Sequence, residues 1–409
     1  MAPRAGSEPI GAARIEDHAA TFLACYGGTE APRVFFSPGR VNLLGGHVDY
    51  NGGPVLPIAI DRGTFLAARP RADRRVRIAS TLDSNGLEVD LDRAPESRLG
   101  RWVDYPLGVV VDLLVRARGT GRAGALTGLD LMFGGDLPIG AGLSSSASIC
   151  VGTAFALDLL WDLGLGVDGR VRSALRAERG FVGVQCGIMD PFAVGHGRSG
   201  HVLWLDCRDG TFEHLPLDSA RLAVLVADSG VQRALDSGAY NERVAQCREA
   251  FDLLAPHVPG ATCLRDVPAA VVEEHAVELP EVVLQRARHV AGEVARTFEA
   301  REALLAGELG ALGTLLCESH RSLRDLYECS CPELDAIVEA AVEGPGALGA
   351  RLTGAGFGGC AVVLAERGRE EAVAARIRER FEQRFGRSPA VWCFAGDDGP
   401  RETGPPPPG

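Results

Sequence analysis

Three glycine-rich stretches hold most of the side chains able to do chemistry. In Ser37 to Gly53, one fixed cation, Arg40, stands beside His47, Asp49 and Asn51 on a chain broken by glycines. Such backbone lets a small ligand approach closely, and Asp with His offers the polar contacts a hydroxylated ligand needs. A polar turn between two strands would use the same residues. The second stretch, Asp136-Leu-Pro-Ile-Gly-Ala-Gly-Leu-Ser-Ser-Ser-Ala147, runs directly into an apolar helical pattern. Glycines and three hydroxyls at a helix start present backbone N–H groups and a positive dipole end, which hold phosphate without any lysine. A Ser-capped helix after a loop is the plainer alternative. The third, Leu352 to Ala361, contains Gly354, Gly356, Gly358 and Gly359 and suits either a loop wrapped on a ligand or a tight turn.

The elements that must position these stretches fall into blocks. Arg75–Ile78 and Leu87–Leu91 alternate in polarity around the turn residues Asp83-Ser-Asn-Gly86, which predicts an antiparallel hairpin. Helical spacing covers Asp104–Val115, Ser144–Leu163 and Ala174–Val184. From Leu222–Val226, a buried strand, a second half begins, with helices near 238–255, 280–302 and 332–343. A strand at 361–364, a charged helix at 370–385 and a strand at 390–394 complete it. Blocks of helices and antiparallel strands, without strict alternation, predict an α+β fold. At 409 residues one core has usually stopped growing, so two packed lobes are expected, divided as 10–217 and 218–403. Residues 1–9 and the Pro-rich 404–409 read as disordered tails.

Composition excludes several chemistries. All 42 basic residues are Arg, so no lysine-dependent phosphate loop, protein-kinase strand lysine or Schiff base exists. The net charge of -12 argues against nucleic acid or an anionic membrane as the main partner. No apolar run reaches membrane-spanning length and no leader pattern opens the chain, so a cytoplasmic protein is expected. The 11 Cys are scattered and odd in number, as in an enzyme with reduced thiols.

Read together, the three stretches resemble the galactokinase branch of the GHMP small-molecule kinases. The first is similar to that family's GRxNLIGEHTDYNxG, the second to PxGxGLSSSA and the third to TGAGFGG. Cys186-Gly-Ile-Met-Asp190, Ala239-Tyr-Asn-Glu-Arg243, Arg286-Ala-Arg-His-Val290 and Glu318-Ser-His-Arg-Ser322 extend the match, in the family's order, from about Ser37 to Leu364. The resemblance implies a two-lobed GHMP kinase fold of mixed and antiparallel sheets with packed helices. Its site would lie between the lobes, with the Gly-rich loop 353–359 in the second. It implies ATP as co-substrate, Mg²⁺ as cofactor, a small sugar as partner, and a monomer or weak oligomer.

By the same resemblance the nucleotide phosphates lie on Gly140, Ala141, Gly142, Leu143, Ser144, Ser145 and Ser146. Trp102 and Tyr105 match the adenine-side aromatics, though Trp102 also suits half-buried packing. Ser146 and Glu178 match the metal ligands, although Glu178, beside Arg176 and Arg179, also reads as a solvated helix-face charge. Asp190 matches the catalytic aspartate, and Arg40 its partner that steadies developing negative charge. Sugar contacts carried over are Arg40, His47, Asp49, Gly187, Asp190 and Tyr240. The implied activity is phosphorylation of a monosaccharide, most naturally D-galactose, at the anomeric hydroxyl.

Two positions depart from the family pattern. Its Gln after the catalytic aspartate is Pro191 here, and Asp-Pro is also a common helix start with Asp as cap. Its Glu in GEH, which reaches the 6-hydroxymethyl group, is Gly46 here, as in plant L-arabinokinases. That substitution predicts a lost contact, open space at carbon 6 and altered selectivity there, with L-arabinose the leading alternative substrate. A non-catalytic sugar sensor is a further alternative; known sensors of this lineage have lost residues of the SSSA loop, which is whole here.

Overall fold

The computed structural model describes residues 12–83, 85–95, 97–138, 140–184, 186–231 and 238–403. The two expected tails and Ser84 of the expected hairpin turn lie outside the described residues. In chain order the first half contains α1 (Ala12–Tyr26), β1 (Arg33–Asn42), β2 (Pro54–Val55), β3 (Pro57–Pro70), β4 (Arg75–Ser80), β5 (Leu87–Asp90) and α2 (Asp104–Gly119). There follow β6 (Leu129–Gly135), α3 (Ser145–Leu160), α4 (Gly166–Arg176), α5 (Met189–Gly195), β7 (His201–Asp206) and β8 (Phe212–Pro216). The second half contains β9 (Leu222–Asp228), α6 (Ala239–Leu254), α7 (Ala269–Glu274), α8 (Glu281–Ala306), α9 (Leu309–Asp325) and α10 (Pro332–Val342). It ends with β10 (Ala347–Thr353), β11 (Cys360–Glu366), α11 (Glu370–Phe385), β12 (Ala390–Phe394) and β13 (Arg401–Glu402).

The strands form three sheets, ordered β13-β1-β3-β6-β4-β5, β10-β11-β9-β12 and β2-β7-β8. The expected hairpin is present, with Arg75 opposite Asp90 and Ile78 opposite Leu87. Pairing is antiparallel except between β4 and β6, so the first sheet is mixed. Strands β9 and β11 are almost wholly buried along their length. That is why they read as unbroken apolar runs, since each is a central strand covered on both faces. Helix α3 packs on β1 and β3, which brings the serine-rich loop at its start against the strand carrying Arg40.

The first half has a core of its own around Phe35, Leu66, Val110 and Leu157, and two further clusters cross the division expected near residue 217. One cluster joins Val48, Val55 and Phe192 of the first half to Leu225, Val290 and Leu323 of the second. Another joins Val41, Leu43 and Leu56 to Val224, Val226 and Val362. The boundary at 403 also fails to describe the chain's end: β13 returns to the first sheet, where Phe35 pairs with Glu402 and Arg33 holds the Glu402 carboxylate. The antiparallel edge of β1 was open, and an unpaired edge is completed by any nearby strand.

Candidate active site

A cavity of about 780 Å³ opens between the helix α3 side of the first sheet and the β9–β10 end of the second. Its lining brings together Arg40, His47, Asp49, Tyr105, Gly140, Gly142, Leu143, Ser144, Ser145, Ser146, Gly187, Asp190 and Tyr240. Trp102, Ala141 and Glu178 are not part of that lining. Trp102 donates its indole N–H to Asp83 at 2.8 Å and packs edge-on against Phe133, the packing arrangement its sequence also allowed. Ala141 is fully buried behind the loop.

At the centre, Arg40 on β1 makes a two-pronged ion pair with Asp190, Nε to Oδ1 at 2.7 Å and Nη2 to Oδ2 at 2.8 Å. The third guanidinium nitrogen donates to the carbonyl of Gly142 at 2.7 Å, and the Arg40 amide donates to Leu143 at 3.1 Å. One arginine thus fixes both the phosphate-type loop and the carboxylate. The Ser144 hydroxyl donates to Asp190 Oδ2 at 2.5 Å, from a residue held at φ 60°. For Asp190 the helix-cap reading is overturned. Helix α5 starts at Met189, no side chain caps it, and the Asp190 carboxylate turns to Arg40 and Ser144. A fixed cation binds a carboxylate more strongly than a few backbone amides do.

Asp49 faces the same space from a short turn, Asp49–Asn51. Burial, then the nearby Asp190 charge, pushes its carboxyl up to about 6, against the pull of Arg40. Gly187 lies against it so closely that a Cβ there would fall 1.8 Å from Asp49 Oδ2. Any side chain at 187 would therefore displace the carboxylate.

His47 is placed differently from a simple sugar contact. Its Nε2 lies 3.1 Å from the carbonyl of Ala355, which can only accept, so Nε2 carries the proton. Its Nδ1 then accepts from the Tyr50 hydroxyl at 2.9 Å. Tyr50 accepts from Tyr327 at 2.6 Å, and Tyr327 from the Cys247 thiol at 3.1 Å. Both ring nitrogens are used by the protein, and burial holds the imidazole neutral by pushing its pKa down to about 3. The ring packs among Tyr50, Tyr240 and Tyr327. His47 therefore ties the first glycine-rich stretch to the third, whose Gly354 and Ala355 also line the cavity.

Glu178 resolves against the solvated reading. It sits on a π-helical turn, Ala177–Val182, that continues α4, and it is 3% exposed. Its Oε2 is buried without a hydrogen-bond partner. Burial pushes its carboxyl up to about 7, against the pull of the neighbouring Ser146 hydroxyl. A buried carboxylate oxygen without a donor beside a hydroxyl at a phosphate-type loop is a donor set that fits a hard divalent cation.

Comparison with known proteins decides the family. The galactokinase galactose-binding signature matches residues 20–70, the GHMP kinases N terminal domain 105–198, and GHMP kinases C terminal 300–383. The chain is 41% identical to the galactokinase of Chloroflexus aggregans over 91% of its length and 94% of that protein. It is 40% identical to the Homo sapiens galactokinase over 91% of this chain and 92% of the other. The structure of Lactococcus lactis galactokinase complexed with galactose superposes with a TM-score of 0.89 at 32% identity, covering 95% of this chain and 100% of that one. The chain belongs to the galactokinase family.

A mevalonate kinase at 19% identity and a TM-score of 0.62 shares the GHMP fold alone. Within the galactokinase family, Gly46 requires a correction. An ideal Cβ at Gly46 would meet Arg351 Nη2 at 2.7 Å and the Leu323 methyls at 3.2 and 3.3 Å. The space expected to be open is filled by a buried guanidinium. Glu293 holds the whole corner: Oε1 accepts from the Gly45 and Gly46 amides, Ser319 and Arg351, and Oε2 from Arg296.

Several cavity residues escaped the sequence reading. Asn42, Tyr50, Asp228, Gly230 and Val231 all line the space. Asp228-Ser-Gly230 at the end of a buried strand was the available signal, because an Asp-x-Gly turn after a central strand marks a loop aimed at a ligand crevice. No disulfide joins any of the described cysteines. Among the described residues, no helix is long and apolar enough to cross a membrane.

Proposed function

We propose that the protein transfers the terminal phosphoryl group of ATP to the anomeric hydroxyl of D-galactose, giving ADP and the sugar 1-phosphate. The observation that carries this is the two-pronged Arg40–Asp190 pair opening onto the same cavity as the Ser144–Ser146 loop. The sugar oxygen attacks phosphorus as the bond to the ADP bridging oxygen breaks, and the hydroxyl proton passes to Asp190 and then to solvent. Asp190 orients that hydroxyl, Arg40 balances the charge that develops, and the start of α3 with Gly140, Gly142 and the serines cradles phosphate oxygens. Asp49, Gly187 and Tyr240 form the sugar side, with His47 holding its loop in place. Tyr105 flanks the nucleotide, and Trp102 supports that wall from behind.

Ser146 and Glu178 would hold Mg²⁺, which when bound neutralises charge on the nucleotide's phosphate oxygens. Residues 10–217 would then supply most nucleotide contacts and 218–403 the opposing wall, in a cytoplasmic monomer or weak oligomer with no nucleic-acid or membrane partner. A second reading concerns carbon 6 of the sugar. The carboxylate that the family offers there is absent at Gly46, which favours L-arabinose, a sugar without the 6-hydroxymethyl group, as a competing substrate.

A coupled ADP-release assay across galactose, L-arabinose, galacturonate and N-acetylgalactosamine tests both readings. Galactose-dependent turnover is expected, with L-arabinose within about tenfold, since one lost hydroxyl contact is worth about 1.4 kcal/mol here. No sugar-dependent ADP release from any of them would sink the proposal. Galactose preferred by orders of magnitude removes the second reading.

A further inference from the structure

Away from the cavity, two histidines and a glutamate converge on the surface of the second half. His257 ends the short turn Ala255–His257 that follows α6. His275 follows α7, and Glu278 ends the next turn, Ala276–Glu278. The two imidazole rings stack with centroids 3.5 Å apart and planes 20° from parallel. Each turns one nitrogen to the same carboxylate: His275 Nδ1 lies 2.7 Å from Glu278 Oε1, and His257 Nε2 lies 3.2 Å from Oε2. The ligand atoms all lie within 4.8 Å of one another.

We propose that His257, His275 and Glu278 bind a divalent transition-metal ion of the zinc type. The donor set is two imidazoles and one carboxylate, which suits zinc, cobalt or nickel and not magnesium, which prefers an all-oxygen shell. Zinc–nitrogen and zinc–oxygen bonds of about 2.0–2.2 Å require ligand atoms a little over 3 Å apart, close to the 2.7 and 3.2 Å between the imidazole nitrogens and Glu278. Both nitrogens face carboxylate oxygens, which only accept, so each carries a proton here; an ion replaces those two hydrogen bonds, each imidazole keeping its proton on the other nitrogen so that a lone pair is presented. Glu278 pairs with the two imidazoles and has no arginine partner among the described residues, so an incoming ion competes with no guanidinium. The side chains are 30%, 20% and 49% exposed, so an ion and a completing water can enter without unfolding.

None of the three residues lines the cavity, so this site is separate from the one that Ser146 and Glu178 would form. An ion here joins the C-terminal end of α6 to the turns around α7. Helix α6 carries Tyr240 at its other end, so the clamp would brace the element that presents that tyrosine. Closing a loop of this kind stabilises chiefly the folded state.

Cobalt(II) titration of the full-length protein, with saturating Mg²⁺ and a non-chelating reductant, tests the inference through its visible absorption and by calorimetry. A single tight equivalent is expected, weakened by about tenfold or more in both His257→Ala and Glu278→Gln. Both variants should keep wild-type circular dichroism and galactose-dependent turnover, which separates this test from the kinase proposal. Should Glu278→Gln fail to fold, the His257→Ala titration alone decides. No binding at micromolar cobalt, or binding undiminished in His257→Ala, overturns the site.

Discussion

Two arginine–carboxylate pairs in this molecule do opposite work. Arg40–Asp190 is a two-pronged pair whose carboxylate side chain remains 27% exposed to the cavity, while Arg351–Glu293 is sealed at 0% exposure on both sides. In the sealed corner, burial alone would raise the Glu293 carboxyl. Arg351, Arg296 and His289 outweigh it and hold the group down at about 2. At Asp49 on the cavity wall and at Glu178 buried beside Ser146, burial wins instead, and the carboxyls are pushed up to about 6 and about 7. The corner therefore stabilises the fold by ionising, whereas the site keeps carboxylates that are uncomfortable when ionised. A ligand that brings hydroxyl donors or a cation would relieve that discomfort.

The sharpest test of this contrast is to break each pair. Asp190→Ala should lower kcat by about 10²–10⁴-fold with little change in melting temperature, as expected if its carboxylate takes the proton in the proposed reaction. Arg351→Met should do the reverse, costing about 3–5 kcal/mol of stability by leaving Glu293 buried and uncompensated. Urea denaturation paired with turnover measurements reads both. If Asp190→Ala unfolds the protein while Arg351→Met abolishes turnover in a fully folded one, the division of labour is wrong.

Next in size is Gly187→Ala. The added methyl would force Asp49 aside, so the sugar KM should rise by about tenfold or more while the KM for ATP stays near wild type. Equal changes in both constants would mean that Asp49 does not serve the sugar.

The pH dependence of stability should carry opposite signs for Glu293 and Asp49. Glu293 lies below its ordinary value, so its contribution is complete above about pH 4.5 and is lost as pH falls toward 2. His47 and His289 are buried neutral, with pKa values pushed down to about 3 and about 4. The unfolded chain takes up their protons first, so stability falls as pH drops from about 6.5 toward 4. Asp49, raised to about 6, acts the other way: the folded protein binds its proton more tightly, so stability falls as pH rises from 3.8 to about 6 and stays reduced above that. Asp49→Asn should therefore raise the melting temperature more at pH 8 than at pH 4, while weakening sugar binding at both. A melting temperature lowered at pH 8 contradicts the sign.

The smallest effect belongs to the chain that anchors His47. Tyr327→Phe removes the hydroxyl between Tyr50 and Cys247, leaving Tyr50 as a donor to His47 without its own donor. A stability loss of about 1 kcal/mol is expected, with a modest rise in sugar KM.

Much of the scaffold was legible because its signals are local. The hairpin at Arg75–Ser80 and Leu87–Asp90 follows from alternation around turn residues, and α2 and α3 from helical spacing. The three glycine-rich stretches were also visible as chemistry-bearing segments, and Arg40, Asp49, Asp190 and the serines do meet in one cavity. What stayed hidden depends on partners far away in the chain. Asp-Pro at 190–191 resembles a helix cap until Arg40, 150 residues away, supplies a stronger partner for the carboxylate. Glu178 resembles a solvated charge until the turn to a π-helix rotates it inward.

Composition alone determined that this chain has no catalytic lysine, block order pointed to an α+β fold, and the motifs marked segments that meet at one cavity. Only the tertiary structure decided that Arg351 fills the place left by Gly46, that His47 spends both nitrogens on the protein, and that the last strand closes the first sheet. Periodicity and motifs record what a residue prefers near its neighbours. Whether a charge is ionised, satisfied or free to act is set by what else is packed within a few ångströms, and those groups come from 308 residues away for His47 and 58 for the Glu293–Arg351 pair.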